Sequence, residues 1–178
     1  KKFSKYKNII IIGMGGSILG TKSIYSFLVK KIKKEVFFFD NLDNNLHLQF
    51  KKIKNLNNSC FIVVSKSGDT LETITNLGII LSKTSLRNKL ILITETKDSR
   101  LMAIATKYNA DVIEHKEYIS GRYSVLSEVG MFPAALMGLN VSKFKNLKTL
   151  IKNKNFVSTL IQNVAYIHTF NEQGSNNS

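Results

Sequence analysis

Asn8-Ile9-Ile10-Ile11-Ile12-Gly13-Met14-Gly15-Gly16-Ser17-Ile18-Leu19-Gly20, residues 8–20, decides the fold. Its first part, Asn8–Ile12, is short and apolar at consecutive positions, as a strand buried on both faces must be. Glycines end that strand, and a longer amphipathic stretch, Ile18–Lys31, follows. Glycines at such a turn let the backbone approach a ligand closely, and the N–H groups opening the next helix favour an anion. The unit reads as strand, phosphate-loop candidate, helix; a tight turn without a ligand is the plainer alternative.

The same alternation continues outward. Further strands are expected at Glu35–Phe39, Cys60–Val64, Leu90–Thr94 and Asp111–Glu114, separated by helical patterns at Asn45–Leu56, Thr70–Lys83 and Ser99–Tyr108. Each helix is long enough for the crossover that parallel neighbours require. The expected architecture is a three-layer α/β sandwich around a five-stranded parallel sheet in the doubly wound order 2-1-3-4-5, followed by helices. In that order strands one and three are neighbours, so the loops leaving their carboxyl ends meet at the switch point where ligands bind. After Tyr118 the pattern is helical: Ser124–Met137, Ser142–Lys152 and Phe156–Asn171, before a polar tail. Pro133, the only proline, implies a kink in the first of these or a later start. This divides the chain into 1–118, an α/β domain, and 119–178, a helical continuation.

Composition narrows the function. Of 178 residues, 43% are hydrophobic and 21% charged, near the globular averages. No apolar run reaches the roughly 18 residues of a membrane span. The net charge of +14 is carried mostly by scattered lysines, with only Arg87, Arg100 and Arg122 available for forked readout, so nucleic acid is not the expected partner. An anionic small substrate suits the same field. The first residues lack the apolar core of a secretory signal, and the single Cys60 forms no internal disulfide, which together indicate a reducing, cytoplasmic setting. Cys60 opens an apolar strand and reads as a buried hydrophobe. His47, His115 and His168 lack metal-ligand spacing and read as surface or helix-flank residues, so no metal is expected.

A second loop, Ser65-Lys66-Ser67-Gly68-Asp69-Thr70-Leu71-Glu72-Thr73, leaves the third strand and opens a helix. Hydroxyls and backbone N–H groups at a helix mouth are how a protein surrounds a phosphate. The loop lacks the Gly-Lys-Ser/Thr order of nucleoside triphosphate sites. The plainer reading is a capping box, with Asp69 as N-cap and Glu72 as its partner. A dinucleotide fingerprint in the first loop fails at Ile18, where a small residue is needed, although Asp40 stands where a ribose ligand would. A third motif, Ile119-Ser120-Gly121-Arg122-Tyr123-Ser124-Val125-Leu126-Ser127-Glu128-Val129-Gly130, exposes one arginine ahead of a helix, suited to an oxyanion or to a surface salt bridge.

In this order and spacing, Gly-Gly-Ser-x-Leu-Gly, Ser-Lys-Ser-Gly-x-Thr-x-Glu-Thr and Gly-Arg-Tyr-Ser resemble the phosphoglucose isomerase family, over about Ile9 to Asn171. The resemblance implies a sugar-isomerase (SIS), flavodoxin-like domain and a helical connection toward a second domain. It implies interconversion of glucose 6-phosphate and fructose 6-phosphate through an enediol, without a cofactor, and a homodimer at full length. By position it assigns Gly16, Ser17, Ser65, Lys66, Ser67, Gly68, Asp69 and Thr70 to the sugar phosphate, and Arg122 to the enediol. Ser120 stands where the family usually has a second glycine. The family's Glu-Ser-x-Gly-Lys-like segment, which carries the base, has no counterpart here, nor do its ring-opening histidine and late lysine, so the chain resembles an amino-terminal piece. A stand-alone SIS-type sugar-phosphate sensor and a bifunctional phosphoglucose/phosphomannose isomerase are the alternatives.

Overall fold

The computed structural model describes residues 2–43, 46–86, 89–172 and 174. Asn45, at the start of an expected helix, Arg87 and most of the polar tail lie outside these residues, as does the side chain of His47. Strands β1 (Asn8–Gly13), β2 (Glu35–Phe39), β3 (Ser59–Val64), β4 (Leu90–Thr94) and β5 (Asp111–Glu114) form one parallel sheet in the order β2-β1-β3-β4-β5. The expected strands, strand order and architecture are all present.

The sheet follows from its side chains. Every residue of β1, β3 and β4 is buried, which only layers on both faces allow. Ile10, Ile12, Phe61, Val63 and Leu92 meet Leu77, Ile80 and Leu101 on one face. Ile9, Ile11, Ile62, Val64 and Ile93 meet Ile18, Val129 and Leu136 on the other. Complete burial of such a side chain contributes about 1.5–3 kcal/mol. Edge strands β2 and β5 are only part-buried.

Helices α1 (Leu19–Leu28), α2 (Leu46–Lys51), α3 (Leu71–Leu81) and α4 (Arg100–Tyr108) connect the strands. The first two stop earlier than their patterns. α1 tightens into a 3-10 turn at Val29–Lys31, and the Asn55 side chain accepts from Asn58 N–H to open a separate turn after α2. α4 begins where expected, because the Ser99 hydroxyl accepts from Met102 N–H, and ends on Asn109 in the left-handed region.

The helix bearing Pro133 starts later than its pattern, yet Pro133 still lies beyond its first turn. Residues Gly121–Leu126 form a 3-10 segment, Ser127 caps, and α5 runs Glu128–Leu136 with Pro133 inside it. Pro133 has no N–H for the Val129 carbonyl one turn earlier. The buried Thr21 hydroxyl of α1 donates to that carbonyl instead, at 3.1 Å.

Packing divides the chain into two compact units, Lys1–Leu139 and Asn140–Ser178. The first therefore takes in the arginine motif and α5 as well as the sheet. The second holds α6 (Leu147–Lys152) and α7 (Lys154–Glu172), whose apolar residues Leu160, Ile161, Val164 and Ile167 are exposed. No described helix is long and apolar enough to cross a membrane.

Candidate sugar-phosphate site

Gly13 and Val64 are register partners in β1 and β3, so the glycine loop and the hydroxyl loop leave the sheet side by side. The first continues as a 3-10 turn over Gly15–Ser17, closed by Ser17 N–H donating to the Met14 carbonyl at 3.0 Å. Gly15 turns it with φ +51°, a conformation that glycine adopts without a Cβ penalty. Ile18 is fully buried against the sheet, and Asp40 is paired with Lys22. Both features oppose the dinucleotide reading.

In the second loop Ser65 is buried, and its hydroxyl lies 2.8 Å from that of Thr70. Gly68 N–H donates to the Ser65 oxygen at 3.2 Å. The two hydroxyls hold two protons and their shared bond uses one, so the pair keeps one O–H to offer a ligand. Gly68 has φ +76°, and a Cβ there would stand 2.3 Å from the Ser99 hydroxyl. Ser67 is exposed, its oxygen accepting from Asp69 N–H at 3.2 Å. α3 follows at once, its positive end facing the loop.

The expected capping box is not formed. Thr70, not Asp69, precedes the first turn of α3, and its side chain makes no cap because it is bonded to Ser65. The Asp69 carboxylate accepts from Arg100 N–H at 3.0 Å, so it serves the start of α4 instead. Lys66 also looks elsewhere: its ammonium donates to the Glu117 carbonyl at 2.6 Å and faces Glu95 at 3.7 Å.

The third motif lies on the first. A Cβ on Gly16 would stand 2.4 Å from Gly121 C and O and 2.9 Å from Arg122 N. The buried Ser124 hydroxyl is 2.7 Å from the Gly121 carbonyl and 3.3 Å from that of Gly16. Val125 packs where Gly20 and Gly130 leave room, at 2.7 Å and 2.0 Å from their added Cβ positions. Arg122 is exposed and has no carboxylate partner among the described residues, against the surface-salt-bridge reading. The fold therefore brings Gly16, Ser17, Arg122 and the Ser65–Thr70 loop to the carboxyl-terminal edge of the sheet.

Sequence reading passed over Glu95 and gave Ser124 and Val125, inside the third motif, no packing role. The isolated glycines at 20 and 130, inside helical patterns, were the available signal for close packing. His115 is corrected: it is buried, not a surface residue, with Nδ1 3.1 Å from the Lys116 carbonyl and 4.0 Å from Glu128. Cys60 is buried, and burial pushes its thiol up to about 11, far from a nucleophile's range. The described residues offer no metal-binding group of three or more His, Cys, Asp or Glu.

The family model of phosphoglucose isomerase matches residues 1–176. The chain belongs to the phosphoglucose isomerase family. A glucose-6-phosphate isomerase of Methanocaldococcus jannaschii is 37% identical over 147 residues, covering 80% of this chain and 36% of that protein. One from Mesomycoplasma hyopneumoniae is 31% identical over 171 residues, covering 89% of this chain and 40% of its own. This phosphoglucose isomerase family member thus spans well under half the length of those relatives. Among solved structures, a glucose-6-phosphate isomerase of Chlamydia trachomatis superposes with TM-score 0.65 at 28% identity, over 76% of this chain and 27% of that one. A hypothetical protein of Thermus thermophilus shares the fold at TM-score 0.77 and 21% identity, over 92% of this chain and 44% of that one.

Proposed function

We propose that the chain is the phosphate- and arginine-bearing part of a cytoplasmic glucose-6-phosphate isomerase, which acts as a homodimer at full length. The observation that carries this reading is the seating of Gly121 and Arg122 on Gly16, beside the Ser65–Thr70 loop. One edge of the sheet then offers donors for a phosphate and a cation for developing charge.

In this reading Gly16, Ser17, Ser65, Ser67, Gly68, Asp69 and Thr70 surround the phosphate of glucose 6-phosphate or fructose 6-phosphate, and Lys66 joins them through its backbone alone, since its ammonium is engaged by Glu117 and Glu95. The hydroxyl pair at Ser65 and Thr70 donates to phosphate oxygen, with backbone N–H groups and the start of α3 adding positive potential. Arg122 faces the reacting end of the sugar. Moving a proton between C2 and C1 builds negative charge on the C1 and C2 oxygens of an enediol, and a guanidinium already in place stabilises it. No cofactor is required for this proton transfer. The base comes from another part of the natural polypeptide, since its family motif has no counterpart in this sequence.

Calorimetric titration with fructose 6-phosphate tests the site. The chain is expected to bind it, and replacing Ser65, Ser67 and Thr70 together with Ala should remove about 1.5–3 kcal/mol per hydrogen bond to the charged acceptor. Equal affinity in the triple variant would refute the assignment. Coupled assay of the natural polypeptide carrying this sequence distinguishes enzyme from sensor by whether glucose 6-phosphate is converted.

A further inference from the structure

Lys66 is the cation inside the hydroxyl loop, yet its ammonium is engaged at the ends of β4 and β5. Three groups at the end of β4 grip this residue. Glu95 N–H donates to the Lys66 carbonyl at 3.1 Å, the Thr94 hydroxyl approaches the same carbonyl at 3.4 Å, and the Glu95 carboxylate faces the ammonium at 3.7 Å. Lys97 holds the other carboxylate oxygen of Glu95 at 2.5 Å, which fixes the plane of the group.

The Lys66 ammonium then reaches across to the Glu117 carbonyl at 2.6 Å. From Glu117 the chain runs through Tyr118, Ile119, Ser120 and Gly121 to Arg122. That short segment is therefore tied at both ends, by Lys66 at Glu117 and by the backbone contact of Gly121 on Gly16. The Glu95 side chain is only 13% exposed and that of Lys66 31%, so water screens this pair less than it does the rim pairs. The Lys97 hydrogen bond, with the charges of Lys97 and Lys66 behind it, outweighs burial and keeps the Glu95 carboxyl below the usual carboxylate range. It is an anion throughout the neutral range.

We propose that Glu95 is a positioning residue that holds Lys66 as a strut between the phosphate loop and the arginine loop, and so sets the distance between bound phosphate and the Arg122 guanidinium. The inference rests on the functional reading above and adds a division of labour within the loop. Ser65, Ser67, Thr70 and the backbone hold the anion, whereas the Lys66 side chain spaces the two loops. A strut matters for rate more than for affinity, because a displacement of about 1 Å at a reacting centre costs up to about 10²-fold while the anion keeps its own donors.

The test pairs Glu95→Gln, which keeps shape and removes charge, with Lys66→Met, which keeps the stem and removes the ammonium. In the natural polypeptide both are expected to lower kcat by about tenfold or more with KM for fructose 6-phosphate within about threefold. The double variant should be no worse than the poorer single one, as for two parts of one strut. In the 178-residue chain, affinity for inorganic phosphate should stay within about twofold for both variants, since its donors are untouched. Amide spectra should shift at residues 117–123 in both, which also shows that each variant is folded; if Glu95→Gln does not fold, Lys66→Met is read alone. If Lys66→Met loses inorganic phosphate affinity, the ammonium is a phosphate ligand and the inference falls. If Glu95→Gln is folded with wild-type kcat, it falls as well. Failure of the unmodified chain to bind phosphate or fructose 6-phosphate overturns the functional reading itself, and the strut with it.

Discussion

Gly16 and Gly121 meet backbone to backbone, so closely that a single carbon added to Gly16 would stand 2.4 Å from the carbonyl carbon and oxygen of Gly121. No rotamer relieves such a contact, because backbone stands on both sides of it. Gly16→Ala should therefore push the arginine loop off the glycine loop, at a stability cost of about 1–3 kcal/mol typical of overpacking. Sugar-phosphate affinity should fall with it. Melting curves and calorimetry on this one variant check both outcomes, and unchanged binding in a fully folded protein would contradict the shared seat.

Arg122 supplies a sharper kinetic expectation. If it stabilises the enediol oxygens, Arg122→Ala in the natural polypeptide lowers kcat by about 10²-fold or more, with KM moving only a few-fold. Arg122→Lys should recover little where the planar fork spans two oxygens. The absence of a carboxylate partner among the described residues means that folding stability should stay within about 1 kcal/mol of wild type. Steady-state rates read beside melting temperatures decide this, with normal kcat ruling out the role.

Thr21 and Pro133 form a coupled pair through a third residue. The Thr21 hydroxyl occupies the Val129 carbonyl that Pro133 leaves without an intrahelical donor. Thr21→Val orphans that buried carbonyl and should cost about 1–3 kcal/mol. Pro133→Ala restores an N–H one turn along, so the penalty of Thr21→Val should shrink in that background. A double-mutant cycle from denaturant unfolding measures the coupling, and strictly additive effects would rule it out.

The carboxyl of Glu95 gives a pH dependence with a defined sign. Its folded-state pKa lies below the ordinary value of 4.5, chiefly through the hydrogen bond from Lys97. A depressed carboxyl stabilises the fold above its unfolded pKa, and that contribution is lost as pH falls through the lower folded value. On acidification from about pH 6, Glu95 should therefore titrate later than an exposed glutamate. Carbon-13 titration of the side-chain carboxyls follows this directly, and a midpoint at or above 4.5 would show that the ion pair is not held in solution.

Strand positions were legible because buried parallel strands leave uninterrupted apolar runs, and Asn8–Ile12 or Leu90–Thr94 admit no other reading of comparable length. Loops one and two were placed together by topology alone. The pairing of loop three with loop one was less accessible: Ser124 and Val125 lie more than a hundred residues beyond Gly16 and Gly20, and no periodicity links a glycine to the methyl group that will fill its space. Asp69 was misread for a related reason. As a sequence, Asp69-Thr70-Leu71-Glu72 has capping-box spacing, but the competing donor at Arg100 belongs to another helix and becomes visible only when the strands are side by side. His115 follows the last strand, and nothing local distinguishes a buried position there from an exposed one.

The pairing of Gly13 with Val64 also governs how the site comes into being. At the far end of the same two strands Asn8 bonds to Ser59, 51 residues along the chain, and both loops depend on that non-local closure. Loop-closure entropy has to be met before such a contact returns anything, so pairing of this kind is slow relative to local helix formation. No short peptide cut from either loop carries the binding place, and a nascent chain has none until β3 has docked beside β1. Under the proposed function, a sugar phosphate binds only species that have passed that step, so it should slow unfolding and leave the first stages of folding as they were.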